Sequence, residues 1–168
     1  MPPGTLDDHR RSAAQRVEGA HRGPGGATDG GGCGSASWGS WNAPHTGDVP
    51  PTDIIDRVLR ARVGGCALEQ ANPRHEHEWH VWETVAQPED RVLLPVVIGH
   101  APNVVEHPEL VAERLTRLAR LVGPERVVAS TDCGFAQGPF VRRVHPVIMW
   151  AKLESLVEGA RLASAMLW

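Results

Sequence analysis

Three short apolar runs recur along this chain at a spacing of about thirty residues, the length of a βαβ unit. They are Cys66-Ala67-Leu68, Val92 to Ile98 and Val127 to Ser130, and they lead to strand ends at Glu69, Ile98 and Thr131. Segments with apolar residues at helical spacing separate them. Ile54, Ile55, Val58 and Leu59 form one stripe, with Thr52 or Asp53 placed to cap the helix and Gly64-Gly65 to stop it. A second helix is expected from Arg74 to Ala86, with Trp79, Trp82 and Val85 on one side. Pro108 suits the first turn of a third, which carries Val111, Leu115, Leu118 and Val122 and stops at Gly123-Pro124. Pro146 opens a last helix, with Leu153, Leu156, Val157, Ala160 and Ala163 expected to face inward. Strands that alternate regularly with helices predict a parallel sheet with right-handed crossovers. An open doubly wound sheet and part of a (β/α)8 barrel both fit. A whole barrel takes about 250 residues. Half a barrel leaves two unpaired sheet edges, a liability for a soluble monomer.

Residues 1 to 37 differ from the rest. They hold Gly-Pro-Gly-Gly and Gly30-Gly31-Gly32 and almost no large aliphatic residue. Such a composition buries too little surface to offset the entropy of ordering, so a disordered tail is expected. One further strand is allowed for just before Trp38. No lysine followed by serine or threonine comes after the glycines, so they do not make a phosphate loop. The net charge of −3 gives no basic excess to attract nucleic acid. The longest apolar run is too short to cross a bilayer, and Met1 to Arg10 lacks the apolar core of a signal peptide. Three widely spaced cysteines suit reduced thiols in a cytoplasm.

Chemistry is expected at strand ends. Val127 to Phe135 reads Val-Val-Ala-Ser-Thr-Asp-Cys-Gly-Phe, an apolar run that delivers one thiol, Cys133, to the sheet's carboxyl edge. Glu69 ends an apolar strand, where a carboxylate needs a partner. Cys66 reads as core. The run His75-Glu76-His77-Glu78-Trp79-His80 has no two histidines four apart, so it is not His-Glu-x-x-His. Loop bracing or solvation is the preferred reading of it. Arg74 with Glu76 or Glu78 is expected to pin the loop. His107 reads as a helix-start residue, and His45 and Asp48 as residues that could line a pocket. Trp79 and Trp82 read as packing.

Ala71-Asn72-Pro73-Arg74-His75-Glu76-His77-Glu78-Trp79, Asn103 to Leu110, Thr131-Asp132-Cys133-Gly134-Phe135 and Trp150-Ala151-Lys152-Leu153 are distinctive as a set. Together they resemble the cobalamin-independent methionine synthase family, in particular the carboxyl-terminal half of its single-barrel members, from about Trp38 to Trp168. The resemblance implies a partial (β/α)8 barrel of the uroporphyrinogen decarboxylase and methionine synthase type over residues 38–168. It also implies zinc-dependent methyl or alkyl transfer to a small-molecule thiol, as in methionine biosynthesis. By that resemblance Glu69 and Cys133 are zinc ligands. His100, in His100-Ala101-Pro102-Asn103, is a catalytic proton donor. The family's other two ligands form a His-x-Cys pair, and Ser35-Ala36-Ser37 stands in its place here. The resemblance therefore implies weak zinc binding or none by this chain alone, impaired transfer, and a second chain to complete the barrel.

Two alternatives accompany this reading. One is a catalytically inactive remnant, truncated or frame-shifted near Trp38. The other is a metal-free, decarboxylase-like binding barrel that uses Arg74 and His100 for an anionic ligand.

Overall fold

The computed structural model describes residues 33–36, 44–131, 134–135 and 143–168. Cys133 lies outside them, as do residues 1–32. The elements in chain order are β1 (Cys33–Ala36), α1 (Ile55–Arg60), β2 (Gly65–Glu69), α2 (Val81–Thr84), β3 (Val92–Ile98), α3 (Pro108–Val122), β4 (Ser130–Thr131) and α4 (Pro146–Leu167). All three strand pairings are parallel, and strand order across the sheet follows chain order, β1-β2-β3-β4.

Strand β1 corrects one expectation. Cys33–Ala36 is paired residue for residue with Gly65–Leu68, so the tail assigned to residues 1–37 does not extend through it. Its small side chains carry no strand signal of their own, and the neighbouring strand supplies the ladder.

Helix α1 starts without the expected side-chain cap. A 3-10 turn, Pro51–Asp53, leads into it, and the cap position falls to Ile54, whose side chain makes no cap hydrogen bond. It also ends at Arg60, before Gly64-Gly65. The expected helix over 74–86 is a 3-10 turn, Glu76–His80, that runs into the short α2. Its inward face is as expected: Trp82 is buried, with Trp79 and Val85 packed beside it. Helix α3 has Pro108 in its first turn and stops at Gly123, whose φ of 101° suits a residue without Cβ.

Strand β4 is shorter than Val127 to Ser130, and β3 gives the reason. The Leu93 carbonyl faces β4 and accepts from Val128 N–H at 2.9 Å. Two residues on, Pro95 faces the same way and has no N–H to donate. The Ser130 hydroxyl fills the break, lying 3.0 Å from the Leu94 and Pro95 carbonyls. The register shifts there, leaving a lone bridge at Val127 and a two-residue strand.

One sheet face packs on the helices. Cys66, Leu68 and Leu93 meet α1, α2 and the end of α3, and Val97 meets α3 and α4. On the opposite face Cys33 and Ser35 are exposed and Ala67 and Leu94 are half-buried. At the carboxyl end of that face Glu69 and Val96 are buried.

Helix α4 docks through small residues. Its buried positions are Lys152, Ser155, Gly159 and Ala163, with Leu156 and Ala160 packed alongside. A Cβ on Gly159 would sit 2.4 Å from Val111 Cγ1 and 2.9 Å from the Pro108 carbonyl, so the two helix backbones are in close approach. Val157, expected inward, is 70% exposed. Contact at Gly159 turns that side of the helix away from the core.

Candidate metal and catalytic site at the carboxyl edge

Glu69 closes β2 at the carboxyl edge and is 3% exposed. Its partner is Asn72, whose Nδ2 donates to Oε1. The same Asn72 accepts through Oδ1 from the backbone N–H of Arg74 at 2.9 Å and of His75 at 3.2 Å. One amide thereby fixes both the carboxylate and the turn that presents His75.

His75 is the centre of a buried network. Its Nε2 lies 3.0 Å from Asp48 Oδ2 and its Nδ1 3.0 Å from Glu78 Oε2. The same Asp48 oxygen lies 2.7 Å from His45 Nδ1. Burial lowers the His75 pKa, but the Glu78 hydrogen bond and the charges of Glu78, Glu69 and Asp48 together outweigh it and hold the imidazole above its ordinary value. A protonated His75 can donate from both nitrogens, which is what two carboxylate partners require. The three side chains His45, Asp48 and His75 each turn one ligand atom to within 4.8 Å of the others.

The loop-bracing reading of the histidine run holds for His75. His77 and His80 are exposed, and His80 pairs locally with Glu83. Glu76 and Glu78 each have a partner other than Arg74. Glu78 is taken by His75, and Glu76 by Arg114, whose Nε and Nη2 lie 2.9 and 2.8 Å from its Oε1. Arg114 also caps the Val97 carbonyl at 2.9 Å, tying α3 to the end of β3. His107 starts α3 as expected, its ring accepting from Glu109 N–H.

His100 lies in the loop after β3 and is 2% exposed. Glu106 holds that loop shut. Its Oε1 accepts from Gly99 N–H at 2.9 Å and its Oε2 from Lys152 Nζ at 2.8 Å, while Ser155 donates to its backbone carbonyl. Lys152 is fully buried.

Of the three predicted site residues, Glu69 and His100 lie buried at the ends of adjacent strands. Cys133 lies outside the described residues; Thr131, two before it, ends β4. Two groups were missed as sites. His45 and Asp48 are three apart, a spacing visible in the sequence, but His75 joins them across 27 residues. The Lys152–Glu106 pair spans 46 and has no local signature.

No family model matches this chain, and no curated protein matches it. Among solved structures it is similar to a B12-independent methionine synthase from Shewanella sp. W3-18-1, solved in complex with selenomethionine. The TM-score is 0.68 at 16% identity, over 96% of this chain and 46% of that one. The chain thus spans less than half the length of that enzyme, and what the two share at this identity is a fold: this chain is built like part of a B12-independent methionine synthase.

Proposed function

We propose that residues 38–168 are the carboxyl-terminal half of a (β/α)8 barrel of the cobalamin-independent methionine synthase family, serving methyl or alkyl transfer to a small-molecule thiol in the cytoplasm. The observation that carries this reading is the set of parallel strands in chain order, with Glu69 and His100 each buried at the carboxyl ends of the adjacent strands β2 and β3. A doubly wound sheet would reverse its order at a switch point. The half-open inner face, with Cys33 and Ser35 exposed, suits a surface that a second chain covers to complete the barrel. Trp150 on α4, 62% exposed, suits a neighbouring helix in the same way.

In this reading Glu69 and Cys133 are retained zinc-ligand positions and His100 handles a proton. Zinc, when bound in such a site, lowers a thiol's pKa from about 8.5 and holds the thiolate. In this reading Ser35-Ala36-Ser37 stands where the family carries its His-x-Cys pair. The pairing of Ser35 and Ala36 with Ala67 and Leu68, next to the strand that ends at Glu69, supports that alignment, and neither residue offers an imidazole or thiolate. This chain's own contribution is therefore positional: Asn72 orients Glu69, and Glu106 with Lys152 holds the loop that carries His100.

The test is methyl transfer from methyltetrahydrofolate to homocysteine, by the chain alone and co-expressed with the amino-terminal half of a single-barrel relative. No turnover alone and turnover in the complex, abolished by Glu69→Gln, is the expected result. A complex that forms and stays inactive overturns the catalytic reading. It would favour the inactive remnant, the second reading, which Ser35 and Ala36 in β1 support.

A further inference from the structure

We propose that His45, Asp48 and His75 form a divalent transition-metal site of their own, distinct from the ligand positions Glu69 and Cys133. Two imidazoles and one carboxylate are donors that suit zinc and its neighbours. Two ligands of a tetrahedral zinc at ordinary bond lengths lie about 3.3 Å apart. Asp48 Oδ2 lies 2.7 Å from His45 Nδ1 and 3.0 Å from His75 Nε2, so these two contacts would open by only a few tenths of an ångström, and all three ligand atoms lie within 4.8 Å of one another.

The surroundings are those of a built site. The His45 and His75 side chains are 9% and 5% exposed, and Asp48, at 21%, leaves a way in. Glu78 stands behind His75 Nδ1 at 3.0 Å, where a carboxylate orients a metal-bound imidazole and fixes its tautomer. Glu78 is a positioning residue. Asn72 sets the backbone of His75 from the other side. The donors come from the segments that follow β1 and β2, the end of the sheet where this class of fold carries its sites. Loading balances by proton release: a metal displaces the proton that His75 Nε2 turns toward Asp48, and His45 takes the tautomer with its proton on Nε2. Three protein ligands leave a fourth position for water or a small ligand.

The site stands or falls independently of methyl transfer. The experiment is titration of the full, untagged chain with Zn2+ alone, followed by calorimetry and by metal analysis after dialysis. One zinc per chain is expected. Asp48→Asn and His45→Gln should each weaken binding by about a hundredfold or more, and Glu78→Gln by about tenfold. Cys133→Ser should leave it within threefold. Circular dichroism identifies any variant that has unfolded. The wild-type chain loaded with Co2+ gives a readout that needs no variant: a spectrum without a sulfur-to-metal charge-transfer band. No zinc bound, zinc that depends on Cys133, or a thiolate band with cobalt overturns the proposal. Loss confined to Cys133→Ser and Glu69→Gln would instead support the ligand pair proposed for methyl transfer.

Discussion

The segments after β1 and β3 solve one problem in opposite ways. Each holds a carboxylate among polar partners. After β3, Glu106 is saturated: one oxygen takes Gly99 N–H, the other the fully buried Lys152, and its own carbonyl takes Ser155. After β1, Asp48 turns a single oxygen toward two imidazoles, one of them His75 from the loop after β2, each able to give up a proton and keep its lone pair. The first arrangement is a fastening that no third party can enter. The second can exchange its protons for a cation with little rearrangement. Burial alone does not separate a structural charge from a site; what separates them is whether the partners are fixed cations or exchangeable donors.

Breaking the fastening should cost most. Glu106→Gln leaves the Lys152 ammonium buried without its counter-ion and should lower stability by about 3–5 kcal/mol in urea denaturation. Gly159→Ala comes next. Its Cβ meets Val111 and a backbone carbonyl, so overpacking of up to about 3 kcal/mol outweighs the gain of about 1 kcal/mol in helix propensity. Asn72→Ala should cost about 1–2 kcal/mol through the backbone donors it leaves, and should raise proteolysis between β2 and α2. In metal-free protein, Asp48→Asn should cost about 1 kcal/mol or less, because the carboxylate keeps contact with solvent. A metal-free loss as large as that of Glu106→Gln would erase the distinction between the two loops.

The pH dependence sharpens the same contrast. The folded His75 value is raised, so in the metal-free chain its contribution is fully present below its unfolded pKa of about 6.5 and is lost as pH rises through the raised value. Stability curves of wild type and His75→Gln should converge above that window. The smallest effect concerns thiols. In a Cys133→Ser background, Cys33, exposed on β1, should react with iodoacetamide in the native chain. Cys66, pushed to about 12 chiefly by burial, should react only on unfolding.

Much of this was legible in the residues. β2 ends at Glu69 and β3 spans Val92–Ile98 as read, because each is a dense apolar run bounded by polar or glycine residues. Pro108 and Pro146 mark helix starts because a fixed φ and a missing N–H suit a first turn. The misreadings share a cause. Cys33–Ala36 becomes a strand only through its neighbour, β4 is cut short by Pro95 on another strand, and Val157 faces out because Gly159 sets the depth of contact. For the site, Glu69 was visible as a strand-end carboxylate, and His100 only through the resemblance of His100-Ala101-Pro102-Asn103. The convergence of His75 on Asp48 was not visible, since it depends on two loops lying side by side.

Helix α4 carries Lys152, Ser155 and Gly159 on one stripe, so a single docking event sets its spacing from α3 and closes the loop that begins at Gly99. That loop is tied to α4 through Glu106, by Lys152 and Ser155. It should open when α4 lifts and not before, so its protected amides should exchange with those of α4 as one cooperative unit. The motion available to His100 is thereby governed by a helix whose anchoring lysine lies far along the chain.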